Sequence, residues 1–225
     1  LFVTGALRSD QNSAFGTDFQ RVIYPKASVS WIMSQEGFFP KGGFVDLFRL
    51  RAAYGASGVQ PGPNDAIRTF AATTANVLGT DLPAVVNNLL GNPKLKPERS
   101  TEFEGGFEAK FFNNRLGLDF TAYQRKTRDA LIAAIVAPSA GTGATTVRRN
   151  LGAIRNQGLE LLANAQLVDQ RVFGWDVSVN ASTNSNKLLS LGGTPRQILT
   201  ERQVVENYPL YGWWARPITS YSDKN

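Results

Sequence analysis

Three carboxylates recur at even spacing in one short stretch, Glu102, Glu104 and Glu108, with Lys110 continuing the series. Paired carboxylates are the working groups of general acid–base hydrolysis of glycosides. The same spacing also puts all four on one face of a β-strand, where side chains alternate with period two. There they read first as a water-facing wall whose negative charge Lys110 partly offsets. Arg49 and Arg51 share a face in the same way; they could hold an anionic substrate, or serve as solvated partners of neighbouring carboxylates. Asp119, Glu160 and Asp176 each stand opposite apolar positions in their own segments and join the same polar set. Arg148, Arg149 and Arg155 sit around an expected loop and could touch lipopolysaccharide or simply be solvated. Trp213 and Trp214 with Tyr208 and Tyr211 form an aromatic group that could stack on sugars or take a structural place. Gly141-Thr142-Gly143-Ala144 lacks the lysine and following helix of a phosphate loop.

What is missing excludes more chemistry than what is present suggests. The 225 residues contain no Cys and no His. Disulfides, Cys/His zinc sites and triads built on His or Cys are therefore excluded from this segment. The acidic residues show no calcium-loop spacing, so neither metal nor cofactor is expected. The charge of +6, from 24 basic and 18 acidic residues, is scattered without a basic run. It suits a polar lumen or a lipopolysaccharide-facing rim, and no nucleic-acid partner is expected. No run of about 18 apolar residues offers a membrane-spanning helix. Leu1-Phe2-Val3-Thr4 reads like mid-strand and Ser222–Asn225 like a loop, which raises the expectation of a longer protein.

The elements that must position these residues are strands. Alternation runs through segments of roughly nine to twelve residues, the length a tilted strand needs to cross a bilayer. In Thr101–Phe112, Phe103, Gly105, Phe107, Ala109 and Phe111 oppose the acidic series. In Leu116–Lys126, Leu116, Leu118, Phe120 and Ala122 oppose Asp119, Thr121 and Tyr123. In Gly158–Val168, Leu159, Leu161, Ala163, Ala165 and Leu167 oppose Glu160, Asn164 and Gln166; in Phe173–Asn184, Trp175, Val177, Val179 and Ala181 oppose Asp176, Ser178, Asn180 and Ser182. Weaker versions fall at Leu1–Arg8, Tyr24–Ser34 and Leu47–Gly55, and a last strand is expected near Tyr211.

The connections alternate in length. Asn113-Asn114 and Asp169–Arg171 are tight turns and Gln35–Asp46 is medium, whereas Ser9–Ile23, Ala56–Ser100, Asp129–Gln157 and Ser185–Leu210 are long. One loop helix is expected over Pro83–Leu90, with Asp81 as cap and Gly91 as stop. Aromatic residues gather at both strand ends: Phe38, Phe39, Phe44 and Phe48 flank the medium turn, Phe111, Phe112, Phe173 and Trp175 lie at the short turns, and Tyr24, Tyr54 and Tyr123 lie near the other end. Two interfacial belts would look like this. The expected fold is all-β: an antiparallel transmembrane β-barrel segment of about eight strands, with short periplasmic turns and long extracellular loops. Its rivals are a soluble secreted carbohydrate-binding β-sandwich and a small autonomous porin or adhesin.

Several blocks, in order along the chain, resemble the C-terminal barrel region of the SusC/RagA-like TonB-dependent transporters. They include Leu7–Gly16, Tyr24–Trp31 with Phe38-Phe39, Leu50–Gly58, Gly91–Glu98, Phe111–Leu116 with Tyr123–Leu131, Asn150–Gly152 with Asn156–Glu160, and Tyr208–Gly212, with Tyr221–Asn225 opening a further loop. Val59 stands where the family pattern has Asn, and Pro97 where an aromatic is common. The resemblance implies a barrel of about 22 strands with an N-terminal plug that this segment lacks. It implies import of oligosaccharides, peptides or similar nutrients, coupled to TonB through that absent region. It also implies a SusD-like surface lipoprotein on the outer loops, and contact of the wall with outer-membrane lipid and lipopolysaccharide. Arg49, Arg51, Glu102, Glu104, Glu108, Asp119, Glu160 and Asp176 would then face the lumen, with no enzymatic residues among them. Ala56–Ser100 is the loop expected to touch cargo or lid.

Overall fold

The computed structural model describes residues 1–12, 21–137, 139, 146–198, 202–210, 212–215, 217 and 219–220. In chain order the strands are β1 (Phe2–Asp10), β2 (Val22–Ile32), β3 (Val45–Val59), β4 (Thr69–Val77), β5 (Thr80–Leu89), β6 (Glu98–Phe111), β7 (Leu116–Ile135), β8 (Thr146–Asp169), β9 (Gly174–Ser190), β10 (Gln197–Ile198), β11 (Arg202–Val204) and β12 (Gly212–Trp213). Seven of them make one antiparallel sheet in the order β1-β2-β3-β6-β7-β8-β9. Among the described residues, the one break in simple up-and-down succession of this sheet is the hairpin β4–β5, inserted between β3 and β6. Among the described residues β1 and β9 gain no further wall strand, so the sheet stays open.

Turn chemistry explains the tight end of this sheet. Phe112, Asn113 and Asn114 all take positive φ, at 57°, 56° and 63°. Asn tolerates that region better than other residues with side chains, because its short polar side chain bonds locally. The turn is tied to its neighbour: the Asn114 amide donates to Asp46 Oδ2 at 2.9 Å, and the Phe112 amide to the Phe44 carbonyl at 2.9 Å. Phe44 stacks on Phe111 and Phe112, and Phe107 sits between Phe48 and Phe120.

At the other end the strands outrun the expected boundaries. β7 continues to Ile135, β8 begins at Thr146 and β9 reaches Ser190, so much of the expected loops Asp129–Gln157 and Ser185–Leu210 is strand. Alternation fails there because these extensions twist through bulges near Asp129, which has φ 55°. They also border a buried cluster. Leu188, Leu191 and Val204 are almost fully enclosed, with Ile132, Ile154 and Leu210 packed against them. The short sheet β10–β11–β12 folds over this cluster, and the Leu188 amide donates to the Tyr208 carbonyl at 2.9 Å. The strand expected near Tyr211 is therefore β12 of this small sheet and not a wall strand; Tyr211 itself lies outside the described residues, as do Gly141–Ala144 and Tyr221–Asn225.

The helix expected over Pro83–Leu90 does not form. Those residues lie in β5, paired antiparallel to β4 around Leu78-Gly79, whose φ values are 53° and 85°. A two-residue turn with both φ positive matches the twist of a hairpin. Pro83 is admitted because a two-stranded sheet has only edges.

Candidate functional site

Register across the sheet assigns each wall residue to a face. Arg49 pairs with Glu108, which pairs with Asp119; Glu102 pairs with Arg125 and Glu104 with Tyr123; Glu160 pairs with Thr121 and Asp176 with Gln166. Following these pairs by parity puts all eight sequence-selected residues (Arg49, Arg51, Glu102, Glu104, Glu108, Asp119, Glu160, Asp176) on a single polar face. Ser28, Ser30, Asn164, Ser178 and Asn180 share it.

The opposite face is of another chemistry. From β1 to β9 it carries Val3, Leu7, Val29, Trp31, Leu50, Ala52, Phe103, Phe107, Leu118, Phe120, Leu161, Ala163, Val177 and Val179 in continuous rows. These side chains are not a core: Leu7 is 79% exposed, Phe103 59% and Leu161 38%. A β-sandwich would bury this face under a second sheet; among the described residues none covers it. Unbroken exposed apolar rows of one crossing's height are what a barrel presents to lipid.

On the polar face the selected residues fall into three groups. In the first, Arg49 reaches Glu108 at 3.0 Å, and Lys110 stands 4.0 Å from the same carboxylate. Arg51 grips Asp119 with both terminal nitrogens and donates to Thr121 Oγ1 at 2.6 Å. That reach spans from β3 over β6 to β7. It passes Gly106, the residue paired with Arg51 on one side and Thr121 on the other, where the missing side chain leaves the lane open. A Cβ there would also press on the backbone of Phe120 and Thr121, the latter Cα at 3.1 Å.

The second group brings Glu102, Glu104 and Glu160 around a depression of about 430 Å³ shared with Arg125, Asn156 and Asn184. Arg125, which the sequence reading passed over, bonds Glu102 at 2.6 Å. Its signal was parity with Asp119, Thr121 and Tyr123. Asp176 stands apart near the short turns, lining a separate depression with Lys110, Asn114 and Arg115. Among the described residues no cluster of three or more acidic side chains is arranged to hold a metal ion. What the arrangement can do is keep charge hydrated and paired along an open wall.

The tyrosines depart from the expected second belt. Tyr54 faces outward, but Tyr123 turns to the polar face, where a Cβ on Gly158 would stand 2.7 Å from its hydroxyl. Tyr24 is almost fully buried beneath Arg8, whose guanidinium lies 5.0 Å from the ring centre. Both rings fill space against a glycine of a neighbouring strand, Tyr24 over Gly58 and Tyr123 over Gly158. At the small β10–β11–β12 sheet, Trp213 lies under Arg202 at 4.9 Å and Trp214 meets Tyr208 edge-on at 4.7 Å, while Trp213 stays 69% exposed. Arg155, expected in a loop, lies in β8, and Arg148 approaches Asp65 at 3.9 Å.

Known proteins share this architecture. The chain is 31% identical over 189 residues to TonB-dependent receptor P26 of Formosa agariphila, covering 83% of this chain and 19% of that protein. It is 26% identical over 199 residues to TonB-dependent receptor SusC of Bacteroides thetaiotaomicron, covering 84% of this chain and 19% of that protein. The chain thus spans about a fifth of the length of these curated relatives. The solved structure of the RagAB peptide transporter superposes with a TM-score of 0.80 at 22% identity, over 92% of this chain and 23% of that one, which shows the fold. The model of the family described as TonB dependent receptor-like, beta-barrel matches residues 1–215, and with the two-faced antiparallel wall this places the chain in that family as a segment of its barrel.

Proposed function

We propose that this segment forms part of the wall and outer vestibule of a TonB-dependent outer-membrane transporter that imports nutrients such as oligosaccharides or peptides. The observation carrying the reading is the division of one sheet into an exposed apolar face and an ion-paired polar face. The apolar face meets lipid; Arg49, Arg51, Glu102, Glu104, Glu108, Asp119, Glu160 and Asp176 line the water-filled lumen and perform no covalent chemistry. TonB acts on a region of the protein outside this segment. The relative called SusC and the RagAB assembly support a surface lipoprotein of the SusD type as lid. The hairpin β4–β5 offers it, or cargo, exposed Phe70, Leu82, Val85 and Val86. An isolated hairpin is marginal in water, so a partner surface would steady it.

Envelope fractionation with an antibody against β4–β5 tests this directly. The expected result is an outer-membrane band several times heavier than 24.5 kDa. A soluble band near that mass overturns the reading. Deleting residues 69–89 from the full protein is expected to leave membrane insertion intact and to abolish co-purification of a lipoprotein or uptake of cargo.

A further inference from the structure

The hairpin β4–β5 has two edges, and its register makes them unequal. Val77 and Thr80 flank the two-residue turn at Leu78-Gly79, so they form the first hydrogen-bonded pair of the ladder. Bonded and non-bonded pairs alternate from there. Ala75–Leu82, Thr73–Ala84 and Ala71–Val86 follow as bonded pairs, and Asn76–Asp81, Thr74–Pro83, Ala72–Val85 and Phe70–Asn87 as non-bonded ones. Residues of the second set turn their main-chain groups away from the opposite strand. On β5 this aims Pro83 at the outer edge, where its ring stands and no N–H is offered. On β4 it lays the amides and carbonyls of Phe70, Ala72, Thr74 and Asn76 along an edge that no strand covers among the described residues.

The β4 edge is built to pair. Exposed edges are commonly blunted by Lys, Pro or an inward-pointing charge; β4, Thr69–Val77, holds no charged residue and no Pro. Ala71–Ala75 consists of Ala and Thr alone, so a neighbouring strand could carry side chains of any size on either face. The hairpin also lacks partners of its own. Two strands alone are marginal in water, and at its base Thr69 Oγ1 and Asn87 Oδ1 are enclosed with no hydrogen-bond partner among the described residues. The repeat along the edge selects the occupant. Outward groups recur at every second residue, about 7 Å apart. An extended polypeptide repeats its donors and acceptors at that spacing; an oligosaccharide does not. The one ionisable residue of the two strands, Asp81, accepts a bond from Asn76 Nδ2 at 2.8 Å beside the turn. The edge therefore reads main chain and not a particular sequence, which suits cargo of varied sequence better than one fixed protein partner.

We propose that β4 captures extended peptide cargo by strand addition, the peptide becoming a third strand bonded to Phe70, Ala72, Thr74 and Asn76. Pro83 confines this pairing to one side of the hairpin. The proposal rests on reading β4–β5 as part of the outer vestibule of a nutrient importer, and it names peptides as the cargo of that site.

The test uses the purified full-length protein in detergent and a capped, uncharged peptide of nine residues, the length of β4. Affinity is read by calorimetry and the contact by amide hydrogen exchange. The peptide is expected to protect the outward amides of Ala72 and Thr74. The same peptide with alternate amides N-methylated, and a linear oligosaccharide of matching length, are expected to leave them unprotected. Thr74→Pro removes one outward N–H and sets a ring on the edge without breaking a β4–β5 bond, and is expected to weaken the peptide about tenfold. Pro83→Thr leaves the β4 edge intact and is expected to bind at least as tightly as wild type. Heat-modifiable migration on gels verifies that each variant is folded. Unchanged affinity in folded Thr74→Pro, equal binding of the N-methylated peptide, or equal protection by the oligosaccharide would each overturn the proposal. So would a Thr74→Pro variant that loses only self-association or a co-purifying lipoprotein while keeping the peptide. Absence of the protein from the outer membrane would instead defeat the functional reading itself.

Discussion

The bond from Arg51 to Asp119 shows how the polar wall is held at single residues. The guanidinium joins β3 to β7 across an intervening strand, and it can do so because Gly106 offers no side chain in between. Both charged groups are partly exposed, so water screens the pair. Arg51→Ala is expected to cost about 1 kcal/mol, read as a small fall in the temperature at which the barrel loses its heat-modifiable migration. Gly106→Ala is expected to cost more, about 1–3 kcal/mol, because its Cβ meets backbone that cannot rotate away. Should Gly106→Ala prove as stable as wild type, the open-lane account is wrong. Spacing in the sequence made Arg49 and Arg51 visible as a pair, and Glu102, Glu104 and Glu108 as a series. It could not say that Arg51 skips its neighbouring strand, because that depends on which strand carries a glycine beside it.

At the level of elements, the insertion between β3 and β6 was the least legible. Pro83 with Asp81 before it imitates a helix start, yet Thr80–Leu89 pairs with Thr69–Val77. The better signal was Leu78-Gly79 between two runs rich in Thr and Val. Leu78 is fully exposed and held at φ 53°, a conformation costly for a branched apolar side chain. Replacing it with Asn gives the Asn-Gly pair that such turns favour. Leu78→Asn is expected to stabilise the hairpin by about 1 kcal/mol, measured as slower amide exchange over residues 69–89 with the wall unchanged. Exchange that stays the same or quickens would refute the turn assignment. The wall strands were legible because one face carries exposed apolar rows and the other ion-paired polar residues, which imposes period two. Their extensions toward the small cap were not, since bulges break the register there and alternation is lost.

For the whole molecule, the two-phase wall makes neighbouring residues behave as opposites. Leu161 and Leu162 are adjacent and equally apolar, but Leu161 pairs with Phe120 on the apolar face and Leu162 with Asp119 on the polar face. Leu161→Arg is expected to cost about 2–4 kcal/mol near the bilayer midplane and to reduce recovery in the outer-membrane fraction. Leu162→Arg is expected to insert normally. Equal recovery of the two variants would remove the basis for assigning lipid and lumen to these faces.

The sequence by itself determined the strand period, the two chemistries of the wall, the tight Asn113-Asn114 turn and the family blocks, because each is a local pattern imposed by alternation or by backbone conformation. Only the tertiary structure decided which charges meet. It set Arg51 against Asp119, gathered Glu102, Glu104 and Glu160 around one depression, and aligned Lys126, Arg155 and Lys187 in a row. Apart from Glu102 and Glu104, which are neighbours on one strand, those residues lie tens of positions apart, and their meeting depends on cross-strand register, which hairpin turns and bulges fix jointly over the whole sheet.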